Sequence, residues 1–110
     1  MTASPLTISF PSPEEHYKCL LGGPPETQSL RSGYVVLAPG EAVGEHTTGE
    51  GEEMLIPLAG CGELRFPGQE PMKVAPGRVL YNPPQTVHDV VNTGCEPLVY
   101  IYVVAGRHEH

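Results

Sequence analysis

The chain has 110 residues, a formal net charge of −7 and equal numbers of glycine and proline, 13 of each. This length is that of one domain with a single hydrophobic core. So many scattered glycines and prolines exclude long helices and favour short strands joined by tight turns. The acidic charge argues against nucleic acid and anionic membranes as partners, and no apolar stretch is long enough to span a membrane. We therefore predict a single all-β domain over residues 1–110.

Short apolar or alternating runs, each bounded by turn residues, recur along the chain in the pattern of a β-sandwich or barrel. The predicted strands are Leu6–Phe10, Tyr17–Leu21, Gly33–Leu37, Val43–His46, Glu53–Ala59, Glu63–Phe66, Met72–Val74, Arg78–Asn82, His88–Asn92 and Leu98–Val104. The polar segment Gly22–Arg31 is predicted to be an exposed loop, and the tail Arg107–His110 is expected to be a frayed terminus. The last strand is apolar or aromatic at every position, which predicts burial on both of its faces.

The cysteines and the N-terminus indicate the compartment. Cys19, Cys61 and Cys95 are odd in number, widely spaced and without a C-x-x-C pair, so a disulfide framework is not expected and a reducing environment is favoured. The segment Met1–Phe10 lacks the basic and apolar regions of a signal peptide. We predict a cytoplasmic protein in which Cys61 and Cys95 are small core residues.

Two similar units indicate that residues from two parts of the chain surround one interior. The tripeptide Ala38-Pro39-Gly40 recurs as Ala75-Pro76-Gly77, and each copy precedes a strand-like run that ends near a histidine, His46 or His88. Imidazole and carboxylate bind divalent transition metals, and two histidines with one carboxylate are typical of non-haem iron sites. A six-residue loop with two glycines separates His46 from Glu53. We expect this loop to form a hairpin that brings both side chains to one face of neighbouring strands, with His88 arriving from the second unit.

At these positions the sequence resembles the cupin superfamily of small β-barrels, which is defined by two short motifs. The first, G(X)5HXH(X)3–4E(X)6G, covers residues 40–60, and the second, G(X)5PXG(X)2H(X)3N, covers residues 77–92. The motif positions that match at the family's spacing are Gly40, His46, Glu53, Gly60, Gly77, Pro83, His88 and Asn92. The resemblance implies a double-stranded β-helix, or jelly-roll barrel, with residues 1–32 as an N-terminal arm and strands.

Two positions depart from the motifs. Thr48 replaces the second histidine of the first motif, and Gln85 replaces the glycine of the second. Gln85 is expected to alter a turn only. Thr48 removes one of the four protein ligands usual in the family, because a neutral hydroxyl is a poor ligand for a divalent metal. Thr48 is then expected to face the pocket and to hydrogen-bond a bound water or a substrate.

The resemblance implies His46, Glu53 and His88 as the ligands of one divalent transition metal, with Fe, Mn, Ni and Zn as alternatives. The first motif allows a gap of three or four residues before its glutamate, so Glu52 is an alternative to Glu53. The six-residue run that follows, ending at Gly60, favours Glu53. Further residues are expected inside the barrel, where large aromatics usually serve packing. These are Tyr34, Tyr81, Tyr100 and Tyr102, of which Tyr81 and Tyr100 are predicted to line the pocket with Thr48.

The resemblance implies a metal-binding protein that acts on or binds a small polar molecule inside the barrel, as cupin dioxygenases, isomerases, decarboxylases and non-catalytic binders do. Fold alone does not select among these. One alternative is a ligand-binding or sensing module without metal. Another is a metal-independent sugar epimerase with His46 or His88 as base and a tyrosine as acid, although only six basic residues are present to bind a phosphate or nucleotide. A homodimer is also expected, because small cupins commonly pair through edge strands and the arm Leu6–Phe10 is a candidate for one.

Overall fold

The computed structural model describes residues 4–12 and 14–106. The strands in this part of the chain are β1 (Tyr17–Gly22), β2 (Arg31–Leu37), β3 (His46–Thr47), β4 (Glu52–Ala59), β5 (Gly62–Arg65), β6 (Met72–Val74), β7 (Leu80–Asn82), β8 (Val87–Val91) and β9 (Leu98–Ala105). They form a five-stranded sheet in the order β1-β2-β9-β4-β7 and a four-stranded sheet in the order β3-β8-β5-β6. The described residues include no helix that is long and apolar enough to cross a membrane. The prediction of an all-β fold is confirmed.

The core lies between the two sheets because the strands alternate between inward and outward side chains. In β4, for example, Leu55 points inward and is buried, whereas the preceding Met54 is exposed. Full burial of an aliphatic side chain of this size stabilises the fold by about 1.5–3 kcal/mol. The buried hydrophobic residues are Val35, Leu37, Leu55, Leu64, Val74, Leu80, Val90, Leu98 and Tyr100.

Strands that follow the first copy of the repeated tripeptide pair with strands that follow the second copy. β3 pairs with β8 in the four-stranded sheet, and β4 pairs with β7 in the five-stranded sheet. His46 on β3 and Glu53 on β4 therefore lie in opposite sheets. The expectation that their loop forms a hairpin of neighbouring strands is wrong, because the loop crosses from one sheet to the other. Both side chains nevertheless face the same interior.

Hydrogen bonds of Asn92, the last residue of the second motif, hold the segment after β8. Its Nδ2 donates to the carbonyl oxygens of Leu37 at 2.9 Å and Glu96 at 2.8 Å. Its Oδ1 accepts from the backbone N–H of Gly94 at 2.9 Å. The side chain is buried, so these bonds satisfy polar groups that would otherwise be costly to bury. This segment in turn leads directly into β9.

Gln85, which replaces the second motif's glycine, has a left-handed backbone with a φ of 57°. Its N–H donates to the carbonyl oxygen of Gly49 at 2.7 Å and ties the turn after β7 to the loop after β3. The motif has glycine at this position because the turn requires a positive φ, which glycine adopts without steric cost. Gln85 meets the same requirement with a strained backbone.

Two predicted strands differ from the observed ones. The arm Leu6–Phe10 forms no strand, and Phe10 instead packs on Tyr34 with the ring centroids 4.9 Å apart. Prolines at positions 5 and 11 flank the arm, and proline has no N–H with which to extend a sheet. The predicted strand Val43–His46 is reduced to β3 and a single bridge at Ala42, because Gly44 has a φ of 105° and interrupts the extended backbone.

The cysteines also differ from their prediction. Cys19, Cys61 and Cys95 are all exposed, and none of them forms a disulfide. Cys61 lies in the turn between β4 and β5, and Cys95 lies in the segment between β8 and β9. A turn position decides exposure more strongly than residue type does, so the core role predicted for Cys61 and Cys95 is wrong. The predicted tail Arg107–His110 lies outside the described residues.

Candidate metal centre

Three side chains from β3, β4 and β8 converge between the two sheets. His46 and His88 are cross-strand partners, and their ring centroids are 4.2 Å apart. Glu53 reaches them from the opposite sheet, with its Oε1 3.0 Å from Nε2 of His88. One potential ligand atom from each residue lies within 4.8 Å of the other two. Ligand atoms bound at about 2.1 Å from one ion are at most about 4.2 Å apart, so small side-chain movements bring all three residues around one ion.

Backbone carbonyls determine which nitrogen of each histidine faces the centre. Nδ1 of His46 is 2.7 Å from the carbonyl oxygen of Gly44, and Nδ1 of His88 is 3.0 Å from that of Thr86. A carbonyl oxygen only accepts hydrogen bonds, so Nδ1 carries the proton in both rings. In the neutral rings Nε2 therefore presents a lone pair. Histidines that bind metals are oriented by the same kind of hydrogen bond from the second ring nitrogen.

The contact between His88 and Glu53 tests whether these residues suit a cation. Nε2 of His88 is buried and has no hydrogen-bond partner of acceptable geometry, although its 3.0 Å distance from the Glu53 carboxylate is that of an ion pair. We regard the contact as electrostatic, because the distance is short but the direction is not that of a hydrogen bond. A nitrogen lone pair facing a carboxylate oxygen is favourable only with a proton or a metal ion between them. The donor set therefore fits a divalent cation.

The charge of His88 depends on the same neighbours. Burial lowers the pKa of His88, but the close Glu53 carboxylate, the Thr86 carbonyl and the nearby Asp89 together outweigh burial and hold this pKa above its usual value. Without a metal, the raised pKa thus favours the imidazolium beside the Glu53 carboxylate more than in an unperturbed histidine. A metal ion that binds at Nε2 displaces this proton.

Asn82 positions the Glu53 carboxylate and was missed by the sequence analysis. The two residues are cross-strand partners on β7 and β4, and Nδ2 of Asn82 donates to Oε1 of Glu53 at 3.0 Å. Both are buried, so this bond orients the carboxylate in a region with little water. Strand periodicity offered a signal, because Asn82 shares its face of the predicted strand with Leu80, whose apolar side chain marks the inward side.

Glu52 and Tyr81 lie on the outside of the barrel. Tyr81 is 55% exposed, and its hydroxyl donates to Oε1 of Glu52 at 2.7 Å, which raises the pKa of Tyr81. The structure thus places Glu53, and not Glu52, at the centre. Tyr81 does not line the pocket as predicted, because it alternates with the inward residues of β7, namely Leu80 and Asn82.

The centre opens into a cavity of about 400 Å³ between the sheets. This volume is within the range of small-molecule sites. Besides the three candidate ligands, the cavity is lined by the hydroxyl-bearing residues Tyr17, Thr47, Thr48, Tyr100 and Tyr102 and by the aliphatic residues Val35, Val43, Leu55, Val90 and Val104. Among the described residues, neither lysine nor arginine contributes to this lining.

Thr48 and Tyr100 both line the cavity, but they present different groups to it. The hydroxyl of Thr48 donates to the carbonyl oxygen of Pro83 at 2.7 Å and accepts from the N–H of Thr86 at 3.2 Å. Its proton is therefore used within the protein and joins the loop after β3 to the turn after β7. Burial, together with the charges of Glu53 and Asp89, raises the pKa of Tyr100. The Tyr100 phenol consequently remains protonated at neutral pH.

Comparison with known proteins agrees with the motifs and the geometry. Residues 33–104, well over half of the chain, match the family model of the cupin domain. The chain belongs to the cupin family. The jelly-roll fold and the family implied by the sequence motifs are therefore confirmed. A search of curated protein sequences gives no significant match to this cupin.

Solved structures of other proteins share the fold. A Cupin 2 conserved barrel domain protein from Salinispora arenicola has a TM-score of 0.71 and 26% identity, with 96% of this chain and 89% of that chain covered. A cupin-like protein from Thermotoga maritima has a TM-score of 0.75 and 26% identity over 81% of this chain and 66% of that chain. The DMSP lyase DddQ from Ruegeria pomeroyi has a TM-score of 0.71 and 24% identity, and the match covers 86% of this chain but 48% of the lyase. At this identity the likeness to the lyase concerns the fold alone.

Proposed function

We propose that this cupin binds one divalent transition metal at His46, Glu53 and His88 and uses it to bind and transform a small oxygen-containing organic molecule. The observation that carries the proposal is the buried Nε2 of His88, which has no hydrogen-bond partner and faces the Glu53 carboxylate at 3.0 Å. Two imidazoles and one carboxylate suit Fe²⁺, Mn²⁺, Ni²⁺ and Zn²⁺. Three protein ligands leave open positions at such an ion. The replacement of the second motif histidine by Thr48 accounts for one of these positions.

The residues of the chain have separate roles in this proposal. The bound ion supplies Lewis acidity, which polarises an oxygen atom of the ligand. Glu53, oriented by Asn82, offsets the positive charge of the ion, and the carbonyl-bound histidines present Nε2 to it. The protonated phenol of Tyr100 is a hydrogen-bond donor for an oxygen of the ligand. The aliphatic lining excludes water, which strengthens electrostatic interactions at the centre.

The lining also bears on the alternatives. A sugar epimerase that acts on phosphorylated or nucleotide-linked substrates needs cationic groups for phosphate, whereas the described lining contains no lysine or arginine. A module that binds a ligand without metal differs from the proposed function in its metal content. Metal analysis therefore separates the proposed function from a metal-free binding module before any substrate is known.

We expect the untagged protein to bind about one metal per chain, because it offers one complete ligand set. The test is equilibrium dialysis against Fe²⁺ under anaerobic conditions, Mn²⁺, Ni²⁺ and Zn²⁺ separately, with metal measured by plasma mass spectrometry. Glu53→Gln, which removes the ligand charge, is expected to lose the metal. Glu52→Gln makes the same change one residue away on the outer face and is expected to retain it. No binding of any of the four ions by the wild type, or equal losses in both variants, would contradict the proposed function.

The outer face of the five-stranded sheet supports a second copy of this chain as a partner. The first inner residues of β9, Leu98 and Tyr100, are buried, whereas the residues on its outer face are only half-buried. Cross-strand pairing joins Tyr34, Ile101 and Ile56 in one row of this outer face. The residues that make up its apolar centre are Tyr34, Val36, Met54, Ile56, Leu58, Val99, Ile101 and Val103. We call these residues the outer apolar face.

We propose that two chains associate through their outer apolar faces. Each chain carries a formal net charge of −7, so like-charge repulsion favours contact through a face whose centre is uncharged. The arm Leu6–Phe10 forms no edge strand, but Phe10 packs on Tyr34 at the border of the same face. Both the pattern of β9 and the charge therefore favour sheet-to-sheet packing over pairing of edge strands.

Light scattering at tens of micromolar is expected to give twice the chain mass of 11.8 kDa. Ile101→Glu places a charge at the centre of the outer apolar face and is expected to give a monomer, because a buried unpaired carboxylate is strongly unfavourable. Val87→Glu makes the same kind of change at an exposed position of the other sheet and is expected to remain a dimer. A monomeric wild type, or a dimeric Ile101→Glu protein, would be evidence against this interface.

The thiols and the charge bear on location. The exposed, unpaired state of Cys19, Cys61 and Cys95 suits a reducing compartment, so we propose that the protein is cytoplasmic. The negative charge favours a small molecule and a second chain as partners over nucleic acid or an anionic membrane. These proposals are independent of the metal.

A further inference from the structure

Two tyrosine hydroxyls form a hydrogen-bonded pair at the solvent-exposed side of the cavity. Oη of Tyr17 is 2.7 Å from Oη of Tyr102, and the rings are stacked with their planes 17° apart. Burial and the bond to Tyr17 raise the pKa of Tyr102, so the Tyr102 hydroxyl keeps its proton at neutral pH. One hydroxyl donates to the other, which leaves one O–H donor and the remaining oxygen lone pairs for a ligand. The pair is therefore suited to a neutral hydroxyl or carbonyl group.

The tyrosine pair lies away from the metal centre because of Gly33. Tyr102 on β9 is the cross-strand partner of Gly33 on β2, and a Cβ atom on Gly33 would lie only 2.5–2.7 Å from the outer atoms of the Tyr102 ring, including its hydroxyl. The absence of a side chain at Gly33 thus lets the ring lie across β2. From there it reaches Tyr17 on β1, at the edge of the sheet.

The sheet order gives the separation of the strands at which the tyrosine pair and the metal centre lie. β9 separates β2, over which the Tyr102 hydroxyl lies, from β4, which carries Glu53. Adjacent strands are about 4.8 Å apart, so β2 and β4 are separated by about 10 Å. The cavity lining that remains is largely aliphatic and includes Val35, Leu55 and Val90. The cavity thus has the metal centre as one polar region, the tyrosine pair as a second, and a largely aliphatic wall.

We infer that Tyr17 and Tyr102 determine specificity for a small organic acid with an apolar carbon chain and a neutral oxygen group at its far end. The inference rests on the proposed function, because the metal centre binds the acid group. The tyrosine pair then receives the far hydroxyl or carbonyl. A second anionic group is disfavoured at that end, because no lysine or arginine of the described chain lines the cavity to pair with it.

The test compares straight-chain carboxylates with their ω-hydroxy derivatives, from butanoate to octanoate, by calorimetry on Zn²⁺-loaded protein. At the best chain length the hydroxyl is expected to lower the dissociation constant about 5-fold, the effect of one added hydrogen bond. The corresponding dicarboxylate is expected to bind more weakly than the hydroxy acid. Tyr102→Phe and Tyr17→Phe are expected to remove the hydroxyl's advantage while leaving the unsubstituted acid's affinity unchanged. Tyr81→Phe, at an exposed tyrosine outside the cavity, is the control and is expected to retain the advantage.

Metal content is measured on the same samples, which separates this inference from the proposed function. The inference is overturned if the wild type shows no preference for the hydroxy acid at any chain length, or if both tyrosine variants retain that preference. If the wild type binds no metal, the proposed function fails, and the acids are then tested on the metal-free protein. A hydroxyl preference that depends on Tyr102 would still support the role of the tyrosine pair, and its absence would overturn it.

Discussion

His88→Ala is expected to lower the affinity for divalent metal at least about 100-fold. Loss of a residue that merely orients a ligand costs 10–100-fold, and this substitution removes a ligand and leaves only His46 and Glu53. It also leaves the carboxylate of Glu53, which is 9% exposed, without its nearest positive partner. An uncompensated buried charge is strongly unfavourable, so the thermal midpoint of the metal-free protein is expected to fall as well.

Metal titration of His88→Ala beside His16→Ala measures this effect. His16 is an exposed histidine outside the cavity, so His16→Ala is expected to bind metal like the wild type. Free imidazole is expected to restore part of the metal binding of His88→Ala, because it fits the space that the lost ring occupied. Retention of one tightly bound metal by His88→Ala would show that the ion binds elsewhere. The tail histidines His108 and His110 would then be replaced to locate it.

Gly60→Ala is expected to destabilise the fold by about 4 kcal/mol, more than any ordinary surface substitution. The backbone of Gly60 has a φ of 78°, which costs a residue with a side chain about 1–2 kcal/mol. A Cβ atom there would also lie 2.2 Å from the carbonyl oxygen of Pro97 and 2.9 Å from Cα of Leu98. Neither is the end of a flexible side chain, so the start of β9 itself must move, and such overpacking costs a further 1–3 kcal/mol or so.

Gly40→Ala separates the two contributions. Gly40 also has a positive φ, of 84°, but a Cβ atom on it meets nothing within 4 Å. Gly40→Ala is therefore expected to show only the backbone cost of about 1–2 kcal/mol. Urea unfolding of the wild type and both variants gives the comparison. Equal losses in the two variants would mean that close packing against Pro97 does not explain the motif glycine at position 60.

Much of the fold follows from the sequence, because local signals are strong in a chain of short strands. Turn residues mark the strand ends, and the period-two pattern of β4 puts Glu53 on the same side as Leu55. Motif spacing then selects three of the residues that the fold brings together. The sheet to which each strand belongs was not predictable, because nothing in the loop between His46 and Glu53 specifies whether it forms a hairpin or crosses the barrel.

The rest of the cavity depends on the direction of individual side chains. Tyr81 was expected inside and lies outside, because it alternates with Leu80 and Asn82, whose side chains face inward. Tyr17 was not predicted to line the cavity. Its contact with Tyr102 depends on Gly33, whose lack of a side chain lets the Tyr102 ring extend over β2 towards β1. Such contacts join residues far apart in the chain, so no local sequence pattern predicts them.

The pairing of β3 with β8 and of β4 with β7 also bears on how the protein is made. As the chain leaves the ribosome, His46 and Glu53 emerge well before His88, and their strands have no partners until the second unit follows. The candidate ligand set is thus completed only after contacts distant in sequence have closed, which is a slow step in β-rich folding. Under the proposed function, a metal ion would therefore find its full ligand set only in an assembled barrel.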